Sequence, residues 1–353
     1  MVNAKGSSVR PASSWTLTAN GGSAGILTGP GVDNQTNDVV SGASFKAGSY
    51  ALSESGDQTG YTASNWVCTG TGTQSGNSIT LSVGQSATCT ITNTDIEPTI
   101  QITKTADPSA VPATGGNVTF TFTVWNTSAE SVTLSSLTDT VFGDLNSKGT
   151  CSVPQTLAKS DGSVGGADTY TCTYTLFLKG TLNSNGMGYI NHYNVATTTA
   201  TDGNDTTTAS DDATVTFTWR GRTPGYWKNH PTEWPKFSVV NYKGATIPIT
   251  TKTLVRDVFN VPTSKDFSCI GTKDTLLTAL SYKGGSTLCG ATQTLLRAAT
   301  AALLNEAYFG SAYPAYDSTT KLIEAVNAAI ASGNRQTIIN LAATLDYWNN
   351  GIH

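Results

Sequence analysis

The spacing of apolar residues changes once along the chain, and the change divides it. Up to residue 218 the chain consists of short runs in which every second residue is apolar, the period of a strand with one buried and one wet face. Val118, Phe120, Phe122 and Val124 alternate with Thr119, Thr121 and Thr123, and Ala87, Cys89 and Ile91 alternate with Thr88, Thr90 and Thr92. Runs of this kind, parted by Gly, Ser and Asn turns, predict strands over 15–19, 44–54, 66–68, 78–83 and 87–93. A second group is predicted over 100–103, 118–124, 132–137, 170–178, 193–199 and 213–219, at the spacing of a sandwich. Beyond 219 the period becomes helical. Leu295, Leu296, Ala299, Leu303 and Ala307 mark an alanine-rich helix over 291–308, and further helices are predicted over 319–332 and 334–348, with short ones over 253–259 and 274–282. Gly333 suits the position just past one helix, Asn334 suits the N-cap of the next, and Ile338, Leu341, Ala342 and Leu345 form one stripe. The fold class expected is multidomain: two β-sandwich domains, 1–95 and 96–218, followed by a mainly α-helical domain, 219–353.

Charge sharpens that division. Only 12 % of the 353 residues are charged, against about 25 % in ordinary soluble domains. Residues 1–218 carry 7 basic and 16 acidic groups and residues 219–353 carry 13 and 8, giving −9 and +5. Thr and Ser replace ions on the exposed strand faces. A net charge of −4 gives no general attraction to nucleic acid or anionic membranes. Opposite charges at the two ends favour head-to-tail contact between copies. The Gly221–Gly225 run supplies linker chemistry at the boundary.

Six cysteines fall as Cys68/Cys89, Cys151/Cys172 and Cys269/Cys289, one pair per region. None lies in a CxxC, and His192, His230 and His353 do not cluster with them, so zinc is disfavoured. Pairing within each region would close loops of about 20 residues, each bridge contributing about 3 kcal/mol in the loop-entropy model. Six cysteines allow other pairings, and buried free thiols are the alternative. Bridges persist in an oxidising compartment, which points to an extracellular protein. The first ten residues contain no apolar core of a secretion signal, so the chain is expected to be a mature product or a fragment. No run approaches the roughly 20 apolar residues of a membrane span.

Little in the sequence points to catalysis. It has no P-loop, dinucleotide fingerprint, HExxH or GxSxG turn. His230 and Asp346 could be combined into a pair, but Tyr226, Trp227 and His230 read better as packing groups of a linker, and no enzyme is expected. The acidic stretch 202–212 offers Asp202, Asn204, Asp205, Asp211 and Asp212 as hard oxygen ligands for calcium, without the EF-hand glycine or terminal glutamate; a solvated turn is the plainer reading. A weaker case exists at 33–38. Asn34, Asn117, Asn126 and Asn204 head N-x-Ser/Thr sequons. Tyr226, Trp227, Trp234, Tyr313 and Trp348 could form an aromatic platform for glycans, the alternative to a structural role.

Three stretches carry resemblances. The string Ala47-Gly-Ser-Tyr-Ala-Leu-Ser-Glu-Ser, then Gly60-Tyr-Thr-Ala-Ser-Asn-Trp-Val-Cys-Thr-Gly, then Ala87-Thr-Cys-Thr-Ile-Thr-Asn-Thr-Asp resembles the prealbumin-like repeats of bacterial surface proteins, related to collagen-adhesin B-type domains. Many such relatives join a first-strand Lys to a last-strand Asn by an isopeptide bond assisted by a Glu. The resemblance assigns Glu54 the assisting position and Asn93 the acceptor position. The lysine has no counterpart at its motif position, because the chain starts within what looks like the tail of that strand. Either residues upstream are lacking, which is the preferred reading, or a strand from another molecule completes the domain by donor-strand complementation.

Ile100-Gln-Ile-Thr-Lys-Thr-Ala-Asp-Pro, Val118–Asn126 and Leu137-Thr-Asp-Thr-Val resemble an Ig-like conserved-repeat domain of bacterial and archaeal surface proteins. There Lys104, Asp139 and a late Asn would again suit an isopeptide, although a Lys near a strand end is usually a solvated edge charge. Thr223-Pro-Gly-Tyr-Trp-Lys-Asn-His-Pro, Leu295-Leu-Arg-Ala-Ala, Ala302-Leu-Leu-Asn and Leu341-Ala-Ala-Thr-Leu-Asp-Tyr-Trp-Asn-Asn-Gly resemble a helical module appended to secreted and surface proteins. Together these imply an extracellular structural surface protein or filament subunit whose partners are copies of itself, with surface glycans as the alternative ligand.

Overall fold

The computed structural model describes residues 10–32, 39–56, 59–184 and 187–351. The N-terminal two-thirds is built of β-sheets and the C-terminal region of helices, as the change of period predicts. The candidate loop 33–38, the sequon at Asn34 and His353 lie outside the described residues.

The first region contains β1 (Trp15–Asn20), β2 (Ile26–Pro30), β3 (Gly48–Gly56), β4 (Tyr61–Ala63), β5 (Val67–Gly70), β6 (Thr73–Ser75), β7 (Ser78–Leu81), β8 (Ala87–Thr90) and β9 (Asn93–Asp95). One sheet runs β2-β1-β3-β7-β6, while β4 pairs with β9 and β5 with β8. Tyr50, Leu52, Trp66, Ile79, Leu81 and Ile91 form its core. The run expected over 87–93 is two strands rather than one, because Ile91 and Thr92 leave the ladder and the chain re-pairs with β4 at Asn93.

The second region adds β10 (Ile100–Asp107), β11 (Ala110–Pro112), β12 (Gly116–Asn126), β13 (Val132–Asp139), β14 (Gly143–Asp144), β15 (Gln155–Leu157), β16 (Thr169–Leu178), β17 (Thr181–Leu182), β18 (Tyr189–Ile190), β19 (His192–Thr201) and β20 (Thr206–Thr218). Its sheets run β10-β12-β16 and β11-β20-β19-β13-β14. Val118, Phe120, Phe122, Val124, Leu134 and Leu137 are wholly buried, so the strict alternation of β12 gives one continuous apolar face. By compactness the chain divides into one unit of 1–105, 120–174 and 194–213 and another of 106–119, 175–193 and 214–353. That division cuts through β10, β12, β16, β19 and β20 rather than falling between the regions read from the sequence.

The helical region comprises α1 (Pro224–Asn229), a hairpin of β21 (Ser238–Val240) and β22 (Thr246–Pro248), α2 (Val255–Val258), α3 (Leu276–Ala279), α4 (Leu288–Phe309), α5 (Thr319–Ala331) and α6 (Arg335–Asn349). Leu295, Leu296, Ala299, Leu303 and neighbouring alanines bury most sides of α4, since small side chains let α5 and α6 approach closely. Asn334 caps α6 through Oδ1 onto the amides of Gln336 and Thr337, and Gly333 adopts φ +59° before it, as the spacing predicts. No helix among the described residues is long and apolar enough to cross a membrane.

Candidate functional site

Three disulfides tie Cys68 to Cys89, Cys151 to Cys172 and Cys269 to Cys289. Cys68 and Cys89 face each other directly across β5 and β8. Cys151 and Cys172 are buried beside Gly149, whose φ of +58° and 2.1 Å approach to the Thr173 carbonyl by a notional Cβ leave room only for glycine.

The densest polar chemistry lies inside the second region. Alternation on β10 places Ile100, Ile102 and Lys104 on one inward face, so the lysine takes a core position. The edge charge expected of Lys104 is therefore overturned: its side chain and that of Asp139 are both 0 % exposed. Lys104 Nζ donates to Asp139 Oδ2 at 2.7 Å and to the Asn194 carbonyl oxygen at 2.7 Å. Asn194, on the inward face of β19 with Ala196, Thr198 and Ala200, donates Nδ2 to both Asp139 oxygens at 3.0 and 2.9 Å. Asn194 Oδ1 is buried and accepts no hydrogen bond. The rings of Phe120 and Phe122 lie 5.4 and 5.9 Å from Nζ. Burial pushes the Lys104 amine down from its ordinary value, against the pull of Asp139. For Asp139 burial works upward, but Lys104, the amides of Val141 and Phe142, and Asn194 outweigh it and hold the carboxyl below the ordinary range. A depressed amine, an acid and a side-chain amide in an apolar pocket form a set capable of acyl transfer.

The first region assembles a smaller version. Glu54 on β3 accepts from Asn93 Nδ2 at 2.5 Å, and Asn93 is 2 % exposed. Burial raises the Glu54 pKa, with Asn93 working against it. Lys46 is the one lysine among the described residues of this region, and it is exposed in the loop before β3; Lys5 lies outside the described residues.

The acidic stretch does not form one loop. β20 begins at Thr206, so Asp211 and Asp212 belong to a strand; Asp212 is exposed and Asp211 accepts the Lys104 amide at 2.7 Å. Asp202 instead meets Asp95 and Glu130, which the sequence did not suggest, with one carboxylate oxygen of each within 4.8 Å of the others. Asn204 donates to Asp95, and Asp202 Oδ1 accepts the amides of Asn204 and Asp205. The Tyr61 phenol is pushed up by burial first and then by Asp95, with Arg10, which lies over its ring, pulling down, and Glu130 and Asp202 adding to the rise. Asp95, Glu130 and Asp202 could hold a cation, but calcium takes roughly six to eight oxygens, so these are a partial ligand set.

The aromatic platform is dismantled. Trp227, Tyr313 and Trp348 are at most 1 % exposed and cannot touch a glycan. Tyr226 hydrogen-bonds Glu233 and stacks with His230 and Arg222, and Trp234 is tied to the Trp227 carbonyl through Nε1. His230 turns Nδ1 to the Tyr226 carbonyl, Asp346 is exposed on α6, and no hydrogen bond among the described residues joins them. What organises this region is Asn305, which the sequence reading missed. Its Oδ1 accepts from the Arg222 amide and Trp227 Nε1; its Nδ2 donates to the Arg222 carbonyl and to Asn349 Oδ1. Tyr313 donates to the same Asn349 oxygen. Three of the signature strings thus meet at one buried amide pair. A Cβ on Gly221 would sit 2.2 Å from the Trp348 carbonyl, so the expected linker is packed.

The profile of a prealbumin-like fold domain of the SpaA type matches residues 1–91. No curated protein matches the chain. Prealbumin-like domains of this type are structural rather than enzymatic, and the match together with the three disulfides of the chain fits an extracellular or surface protein.

Proposed function

We propose that this chain is an extracellular structural surface protein or filament subunit, made of modules 1–95, 96–218 and 219–353. It acts by stacking its domains and by self-association or adhesion. The observation that carries the reading is the prealbumin-like match at 1–91 in a chain whose β and helical regions each hold their own disulfide. The resemblances of the second region to an Ig-like conserved-repeat domain and of the third to a helical surface module support the same setting. The partner is a further copy, met head-to-tail between the acidic and basic ends or through donor-strand complementation at the first domain.

Electron microscopy of the purified full chain tests this. Polymers, or end-to-end contacts that weaken as salt rises, are expected. A chain that stays monomeric at every concentration and binds arrayed glycans, with binding lost on Trp234→Ala, would replace the structural reading with the lectin-like one.

A further inference from the structure

We propose that the Cys269–Cys289 bridge of the helical region is a thiol-exchange site, at which a small thiolate bonds to Cys269 and Cys289 is the sulfur that leaves. The three bridges of the chain are not equivalent. Cys151 and Cys172 are 3 % and 1 % exposed, so a nucleophile cannot reach them without unfolding. Cys68 and Cys89 are half-buried and sit on paired strands, whose net dipole is small. At the third bridge Cys269 is exposed, the one exposed cysteine of the six, while Cys289 is half-buried against the helical core. An incoming thiolate therefore reaches Cys269 more readily than its partner.

The sulfur that leaves is also the one the fold stabilises as an anion. Exchange is faster when the departing thiol has the lower pKa. Cys289 is the second residue of α4, a helix of 22 residues capped by Thr287, and the amide end of a helix favours negative charge in its first turn. Independently of the helix, the backbone amide of Cys269 donates to Cys289 Sγ at 3.0 Å. A bonded sulfur is a weak acceptor, so this N–H strengthens its hold as the sulfur takes up charge. Cys269 itself sits in a turn after Lys265–Phe267 rather than in a helix. Gln293, one turn further along α4, donates Nε2 to the Cys269 carbonyl at 3.1 Å. That bond does not involve sulfur, so it keeps Cys269 over the first turn of α4 after the bridge opens, and the pair can close again.

The chemistry needs only the thiolate. Its lone pair attacks Cys269 Sγ in line with the bridge, a new S–S bond forms, and the Sγ–Sγ bond breaks with its electron pair passing to Cys289. One disulfide is consumed and one is made, so nothing is oxidised or reduced overall. In the reverse direction the Cys289 thiolate attacks Cys269 Sγ and expels the small thiol. The helical region thus carries a reversible covalent attachment point, which goes beyond the structural role and does not rest on it.

Glutathione offered to the folded full chain, followed by an alkylating quench and peptide mass spectrometry, tests this. The expected product carries glutathione on Cys269 and the alkyl label on Cys289, roughly threefold or more over the opposite pattern, with the other two bridges intact. In that adduct the pH dependence of alkylation should place the Cys289 thiol about one unit below the usual value of about 8.5. Glutathione found mainly on Cys289, equal labelling of all six cysteines, or no adduct on a chain that stays folded overturns the proposal. A Cys289 thiol that titrates at the ordinary value or above does so too.

Discussion

Among the described residues, the first and second regions each bury a carboxyl against an asparagine, and in the second a lysine faces both. Glu54 and Asn93 share one short hydrogen bond, and burial pushes Glu54 up. Asp139 faces Asn194 and also Lys104, and is held below the ordinary carboxylate range in spite of its burial. The difference teaches what the amine contributes. With an amine in direct hydrogen-bond contact a buried carboxyl is held below the ordinary range, whereas at Glu54 burial outweighs the asparagine contact and pushes the carboxyl up.

The sharpest way to break that comparison is Asp139→Ala. It strands the Lys104 ammonium in the core and is expected to cost about 3–5 kcal/mol in denaturant unfolding. A loss of the size seen at a surface site would mean that the amine is not buried as described. Removing the second region's disulfide with the double change Cys151→Ala and Cys172→Ala comes next, at about 3 kcal/mol.

Glu306 extends the comparison to a carboxyl with no cation partner among the described residues. It is half-buried on α4, its Oε2 accepts no hydrogen bond, and burial, with Asp317 adding, raises its pKa to about 7. The folded carboxyl therefore keeps a proton that the unfolded one has lost. Stability is retained below the ordinary carboxylate range and lost as the pH rises through 7. Glu306→Gln should gain about 1 kcal/mol in mildly alkaline buffer, discounted for solvent screening, and nothing in acid, where both forms are neutral. The smallest effect is expected from Glu54→Gln, about 0.5 kcal/mol, read as a shift in the thermal transition of the first region.

Acid separates the two β regions further. Lys104 and the amides around it hold Asp139 below its ordinary range, so the second region should lose stability as the pH falls through that depressed pKa. The first region, where burial raises Glu54 instead, should show a flatter acid limb. Equal slopes would remove the distinction.

The legible parts of the fold follow from local rules. Strict alternation places β12, and alanine-rich helical spacing places α4, because each buries one continuous face. The short strands β4, β6, β11, β14, β15, β17 and β18 were not legible: two or three residues carry no period, and their pairing is decided by partners far along the chain. At the lysine site the signal lies in the phase of the strands. Lys104 is in phase with Ile100 and Ile102, and Asn194 with Ala196 and Ala200, so the phase of each strand already pointed both side chains inward. Asp95 and Glu130 carry no such signal for joining Asp202, because Glu130 and Asp202 lie in turns between strands and meet Asp95 at the end of β9.

Asn126 has a practical consequence for making the protein. It heads the sequon Asn126-Thr-Ser, yet in the fold it is fully buried, and its Nδ2 donates to the carbonyls of Glu130 and Ala158. A sugar attached to that nitrogen would occupy the space and the hydrogen atoms that those carbonyls require. In a host that glycosylates nascent chains, every molecule would face a race between oligosaccharide transfer and closure of this turn, and losers would be retained as misfolded product. Asn117, exposed at the start of β12, would accept the same sugar harmlessly, so the two sequons report in one experiment how fast the second region folds.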